Sequence, residues 1–272
     1  MASIIGWLRL GTRLPLVVSL VLGGLATVVL VFPALRRAWR DRVVAGWSRA
    51  LLRACGVRLH ERPADGAGTL AARRGGHMLL ANHVSWLDIF LILSIAPAHF
   101  VAKAEIARWP VLGALVSRVG TLFIERGKRH AVHRLNRRIV EVLGDGRRVA
   151  LFPEGTTSDG TQLLPFHGNL IEAALHAQAT VVPVGLRYLD GALRPTDRAI
   201  FVGDVSFVAS VVRVLSAPVI VAEVHPLPPV EGTTRQMVAE RARRAIGERL
   251  GLAFDDEIPE VVRQVRAQGD GR

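Results

Sequence analysis

Cysteine is nearly missing from this chain: Cys55 is the only one in 272 residues, which excludes a disulfide framework and any cysteine-rich zinc site. There is no His-Glu-x-x-His pair, and the nine histidines show no ligand spacing. His130 and His133 are three apart, but they fall in an arginine-rich helical stretch and read as a solvated face. No metal is expected. Also lacking are the Gly-x-Ser-x-Gly nucleophile elbow, the phosphate-binding P-loop and the Gly-x-Gly-x-x-Gly fingerprint. Acid is scarce where base is dense. Residues 1–60 hold nine arginines (Arg9, Arg13, Arg36, Arg37, Arg40, Arg42, Arg49, Arg53 and Arg58) against Asp41 alone, which gives +8 of the formal +12 of the whole chain.

Hydrophobic residues, by contrast, make up 50% of the sequence, and the mean hydropathy is +0.31. A charge of +12 asks for an anionic partner. Arginine wrapped around an apolar run points to a membrane surface rather than to nucleic acid. The run itself, Leu14–Leu35, contains no charged residue and is long enough to cross about 30 Å of hydrocarbon. Pro15 fits a first helical turn. A cleaved signal peptide is the rival, but the run is long for one and arginines follow closely. With the heavier basic flank on its C-terminal side, the rest of the chain is expected in the cytoplasm, at the inner membrane. Trp39, Val43, Trp47 and Leu51 then recur every four residues. That stripe fits a helix lying on an anionic leaflet, the second arm of a re-entrant hairpin, or a helix packed on the catalytic domain.

Glu61–Gly68 reads as a linker, after which short apolar runs alternate with amphipathic segments. Strands are expected at Met78–Ala81, His99–Ala102, Thr121–Glu125, Val149–Phe152, Thr180–Leu186, Ile200–Val202 and Val219–Val224. Helices are expected at Ser85–Ile95, Trp109–Val119, Arg129–Leu143, Asn169–Gln178 and Thr233–Leu250. The pattern predicts an α/β fold: a largely buried sheet flanked by helices, with an N-terminal membrane-associated helical segment. Its parts would be anchoring helices over 1–60, the α/β domain over 69–252 and a polar tail over 253–272.

Four motifs could carry chemistry. Asn82–Asp88 (NHVSWLD) spans a strand-to-helix junction. Ser85 and Asp88 have capping-box spacing, so Asp88 could serve the helix end alone. His83 just before the helix and Asp88 in its first turn could equally face each other, the carboxylate fixing the tautomer of a general base. A base with no protein nucleophile suits direct attack by a substrate hydroxyl on an activated acyl group. Gly120–Arg126 (GTLFIER) ends a strand on Arg126, a phosphate ligand or a plain surface arginine. Leu151–Gly160 (LFPEGTTSDG) runs a buried strand into a turn, where Gly155 lets backbone approach a ligand and the hydroxyls of Thr156, Thr157 and Ser158 offer donors. Val181–Gly185 (VVPVG) puts a proline in an apolar strand, the sign of a bulge or a strand end.

In this order the four motifs resemble the blocks of the glycerolipid acyltransferase family, over roughly residues 76–228. The resemblance implies acyl transfer from acyl-CoA or acyl carrier protein to a lysophospholipid hydroxyl, with no cofactor beyond that co-substrate. His83 would be the general base and Asp88 its partner. Arg126 would bind the acceptor phosphate, Glu154, Gly155 and Thr156 would form part of the acceptor site, and Lys103 would be a further anion ligand. It also implies a mixed-sheet α/β fold with a channel for the acyl chain. One position departs from the pattern: Thr157 stands where the third block often has arginine. A hydroxyl replaces a bidentate clamp there, so a lyso-ornithine lipid competes with 1-acyl-sn-glycerol-3-phosphate as acceptor. A membrane-anchored, non-catalytic lipid binder would explain residues 1–58 but not the four blocks. A hydrolase using water is the enzymatic rival.

Overall fold

The computed structural model describes residues 4–109, 112–125 and 129–255. Helix α1 runs Ile4–Ala26, starting well before the uncharged stretch, so Arg9 and Arg13 lie within it and Pro15 stands inside the helix rather than in its first turn. A π-helical turn at Thr27–Val31 and a 3-10 turn at Phe32–Ala34 bring the chain to a bend. Helix α2, Arg37–Ala54, returns along α1, and Trp47 Nε1 donates to the Leu20 carbonyl at 2.8 Å.

Seven strands form the main sheet: β1 Val57–Glu61, β2 His77–Ala81, β3 His99–Lys103, β4 Leu122–Ile124, β5 Val149–Leu151, β7 Thr180–Leu189 and β8 Ile220–Pro226. Their order is β1-β8-β7-β2-β5-β3-β4. Every neighbouring pair is parallel except β7 with β8, so the sheet is mixed. A separate pair joins β6, Gln162–Leu163, to β9, Ala253–Phe254. The remaining helices are α3 Leu87–Ile95, α4 Leu112–Arg118, α5 Arg129–Gly144, α6 Glu172–His176, α7 Phe207–Ser216 and α8 Arg235–Leu250.

Alternation along the strands sorts the core into two layers. Leu79 and Ala81 of β2, with Val182, Val184 and Leu186 of β7, face a layer built from α1, α2, α3 and α7. Met78 and Leu80 face the opposite layer, which contains Leu135, Ile139 and Val142 of α5 and Val238, Ala239 and Ala242 of α8. Burial on both faces explains why the central strands read as continuous apolar runs.

Three sequence expectations change, and one choice left open, the packing of α2, is decided. The boundary at residue 60 cuts through β1, whose Val57–Glu61 pair residue by residue with Ile220–Val224. The polar tail begins with β9, tied to the body by Arg243 Nη2, which donates to the carbonyls of Leu163 and Asp255 at 2.8 and 2.7 Å. Most of the α2 stripe is packed against protein: Leu51 is buried, Trp47 sits edge-on to Phe90 of α3 at 5.8 Å, and Trp39 alone stands well exposed. Pro183 lies inside β7. Its carbonyl takes Leu227 N–H at 3.0 Å just past Val184↔Pro226, where the β8 ladder stops, so the missing N–H costs no ladder bond.

Candidate active site

In β2, β5, β3, β4 and β7 the carboxyl ends of parallel strands share one edge of the sheet, the usual place for chemistry in such folds. His83 follows β2 at that edge. Its Nδ1 lies 2.8 Å from Asp88 Oδ2, and because a carboxylate only accepts, Nδ1 carries the proton and Nε2 presents a lone pair. Nε2 has no partner among the described residues, and the side chain keeps 19% of its exposure. The imidazole stacks on Phe152, with centroids 3.9 Å apart and planes 8° from parallel.

Asp88 does both jobs that its spacing allowed. Besides His83, its Oδ2 takes the Val84 and Ser85 backbone N–H groups at 2.8 and 2.9 Å, as a capping carboxylate does. Its Oδ1 takes the hydroxyl of Tyr188 at 2.6 Å. The carboxylate is fully buried, and no lysine or arginine among the described residues is paired with it; four hydrogen bonds hold its charge. Tyr188 is the only tyrosine in the chain. Burial first, and then the Asp88 charge, push its phenol well above the ordinary value, so it remains a donor.

The loop around His83 is held by its backbone at several points. His83 N–H donates to Glu154 Oε1 at 2.7 Å, and Leu164 N–H to Oε2 at 3.2 Å. The His83 carbonyl takes Ser158 N–H at 2.8 Å and the Val84 carbonyl takes Phe201 N–H at 3.0 Å. Asn82 pairs with both backbone groups of Leu186 across to β7. The segment expected as a strand at Ile200–Val202 is therefore a brace on the catalytic loop instead of a sheet element.

Glu154 is placed differently from its expected substrate-binding role. It is 1% exposed with both oxygens engaged by backbone N–H groups, so it props the His83 loop from below. Burial pushes its carboxyl up to about 8, against the opposing pull of those two N–H groups. Gly155, at φ +72°, closes the turn after Pro153 with its N–H on the Phe152 carbonyl at 3.0 Å, a conformation that suits glycine. Thr156 and Thr157 follow, half-buried at the site edge. Lys103 is exposed at the end of β3 on the same edge. Arg126 lies outside the described residues.

Sequence reasoning missed Tyr188, Phe152 and the bracing role of Asn82. Tyr188 was within reach: the alternation Val182, Val184, Leu186 continues to it, but the strand was ended at Leu186. A protein nucleophile is not supplied by Cys55, which is buried in the core with its thiol pushed up to about 12 by that burial. An oriented base with an open nitrogen can take a proton from a substrate hydroxyl.

The Acyltransferase family model matches residues 60–187, from the edge strand through the catalytic loop to the strand that carries Tyr188, and the chain belongs to this family. It is an enzyme of the acyltransferase class. Among its relatives is a 1-acyl-sn-glycerol-3-phosphate acyltransferase of Neisseria meningitidis serogroup B, 39% identical over 178 residues, covering 65% of this chain and 67% of the relative. A lyso-ornithine lipid O-acyltransferase of Pseudomonas aeruginosa is 37% identical over 210 residues, covering 76% and 78%. The crystal structure of the 1-acyl-sn-glycerophosphate acyltransferase PlsC from Thermotoga maritima superposes with a TM-score of 0.62 at 20% identity, over 89% of this chain and 96% of that one. At that identity the likeness speaks for the fold.

Proposed function

We propose that this enzyme transfers a fatty acyl group from an acyl-CoA or acyl carrier protein thioester to the free hydroxyl of a lysolipid, foremost 1-acyl-sn-glycerol-3-phosphate, giving phosphatidic acid. The observation that carries the reading is the 2.8 Å Nδ1–Oδ2 contact, which leaves Nε2 of His83 open. His83 Nε2 takes the hydroxyl proton as the oxygen attacks the thioester carbonyl carbon. The C–S bond then breaks, and the departing thiolate takes the proton back from the imidazolium. Asp88 keeps its charge and stabilises the imidazolium between these steps. Lys103 and Arg126 supply positive charge for the acceptor headgroup, and Gly155, Thr156 and Thr157 supply backbone and hydroxyl donors. No cofactor is needed beyond the thioester.

A second reading, acylation of a lyso-ornithine lipid, is favoured by Thr157, which offers a hydroxyl where a phosphate clamp would call for arginine. The lyso-ornithine relative also aligns over a larger share of this chain than the Neisseria one. The α1–α2 hairpin, long and apolar enough over Ile4–Ala34 to enter a membrane, holds the enzyme on the cytoplasmic face of the inner membrane. Membranes carrying wild-type or His83→Ala protein should be given acyl-CoA or acyl carrier protein thioester with each lysolipid in turn. Thiol release that needs both an acceptor and His83 supports acyl transfer, and the preferred lipid names the acceptor. Release at the same rate without acceptor would identify a thioesterase, and equal rates for both proteins would remove His83 from the mechanism.

A further inference from the structure

Helix α7 differs from α5 in what it turns outward. On α5 the outward positions are His133, Arg134, Arg137, Arg138 and Glu141, as water requires. On α7 the outward positions are Phe207, Val208, Ala209 and Val212, with Val208 at 72% exposure, while Ser210 is fully buried. A helix with apolar side chains on its outer face needs a cover other than water. No helix among the described residues supplies one. α7 packs instead beside α1, in the same layer and on the same side of the sheet, and α1 also exposes Leu14, Leu16, Val18 and Leu22.

The inner side of α7 reaches the catalytic loop. Trp86, between His83 and Asp88, donates its indole N–H to Ser210 Oγ at 3.1 Å. Its ring meets Phe207 edge-on at 5.6 Å. Phe207 in turn touches Phe201 and Trp109, at 6.3 and 6.4 Å, and Phe201 N–H holds the Val84 carbonyl.

We infer that the outer face of α7 is seated in the lipid bilayer as a second membrane contact, continuous with α1, and that Trp86–Ser210 and Phe207 hold the His83 loop at that lipid surface. Continuity with the apolar face of α1 argues for lipid over a protein partner, as does an outward face without charge. Tryptophan and phenylalanine at its edge suit the bilayer interface. Through this contact a lipid acceptor would meet His83 without leaving the membrane. That last link rests on the acyltransferase reading, whereas the seating of α7 does not.

The full chain, reconstituted in vesicles of phosphatidylglycerol and phosphatidylcholine, can carry a fluorescent thiol label at Val208→Cys or, on the opposite layer, at Arg137→Cys; buried Cys55 stays unlabelled. The label at 208 should be quenched severalfold more by doxyl-labelled lipid than by aqueous iodide, and the label at 137 the reverse. Iodide quenching at 208 equal to that at 137 would overturn the seating. So would protection from both quenchers, the sign of a second protein copy on this face. In a turnover arm, Val208→Asp should lower the rate on vesicle-embedded acceptor about fivefold or more and leave detergent-dispersed acceptor within about twofold. An equal loss in both assays, or none in either, would overturn the link to the catalytic loop. If wild type transfers no acyl group at all, the quenching arm still reads the surface.

Discussion

His83 and His225 each touch a carboxylate, and only His83 looks like a base. His83 meets Asp88 at 2.8 Å and His225 meets Glu223 at 3.1 Å. The second ring nitrogen of His83 is open, whereas Nδ1 of His225 is taken by Arg249 Nε at 3.1 Å. Asp88 is held by neutral donors, whereas Glu223 is paired with Arg187 at 2.6 Å and Arg62 at 3.6 Å. The side chains keep 19% and 5% of their exposure, and burial pulls the His225 imidazole below its ordinary value. A histidine–carboxylate contact is therefore not a site by itself. It becomes one where a nitrogen faces out at a strand end and the carboxylate is not already committed to arginine.

Removing each partner tests the contrast, and the largest effect is expected at His83. His83→Ala should lower acyl transfer by about 10²–10⁴-fold, read as thiol release with a lysolipid acceptor. Asp88→Asn should lose on the order of 10³-fold, because the carboxamide no longer enforces the Nδ1–H tautomer. It should also lower the Tm, since Val84 and Ser85 N–H groups depend on the same oxygen; an unchanged rate and Tm would remove both roles. Tyr188→Phe should cost roughly 3–10-fold in kcat and about 1 kcal/mol of stability, the scale of one buried hydrogen bond.

Glu154→Gln changes pH dependence more than rate. In the folded chain the carboxyl is held near about 8 against an ordinary 4.5, so between those values the folded state keeps a proton that the unfolded chain releases. Its contribution is full below the unfolded value and is lost as pH rises through about 8, at up to about 1.4 kcal/mol per pH unit. Thermal melts from pH 4 to 9 should show that decline in wild type and a flatter profile in Glu154→Gln. The smallest effect on turnover belongs to His225→Ala: kcat within about twofold, with a lower Tm because Glu223 and Arg249 lose a buried partner. A rate loss at His225 as deep as at His83 would erase the distinction.

Much of this was legible in the sequence, for identifiable reasons. Strands β2, β5 and β8 were legible to within a residue or two because burial on both faces leaves short apolar runs with clear ends. His83 and Asp88 were legible because the strand-to-helix junction brings them together locally. β1 was hidden because Val57–Glu61 follows directly on a basic helix and was absorbed into the anchor, although Val57 and Leu59 alternate with polar residues. Glu154 was given to the acceptor site by the family resemblance, and no sequence pattern shows its bracing role; only tertiary packing puts Leu164 and His83 on its two oxygens. Tyr188 lies a hundred positions from Asp88, and no local spacing announces that bond. α7 escapes notice because it is short, and its polar side, Ser210, Arg213 and Ser216, does not face water as the polar side of a surface helix would.

Arg13 gives the molecule a property that composition alone would not suggest. Its guanidinium passes over Gly56, where a side chain would collide with it, and donates to the Leu215 and Ala217 carbonyls at 3.1 and 2.8 Å, plugging the end of α7. With Leu10, Leu51 and Leu52 buried against α3 and the sheet, the first helices are a wall of the enzyme rather than a tether. Such a protein has no separable half: trimming it back to its first strand would open the main core to water. The packing of these two helices is thus a condition of being folded, not an attachment added to a finished catalyst.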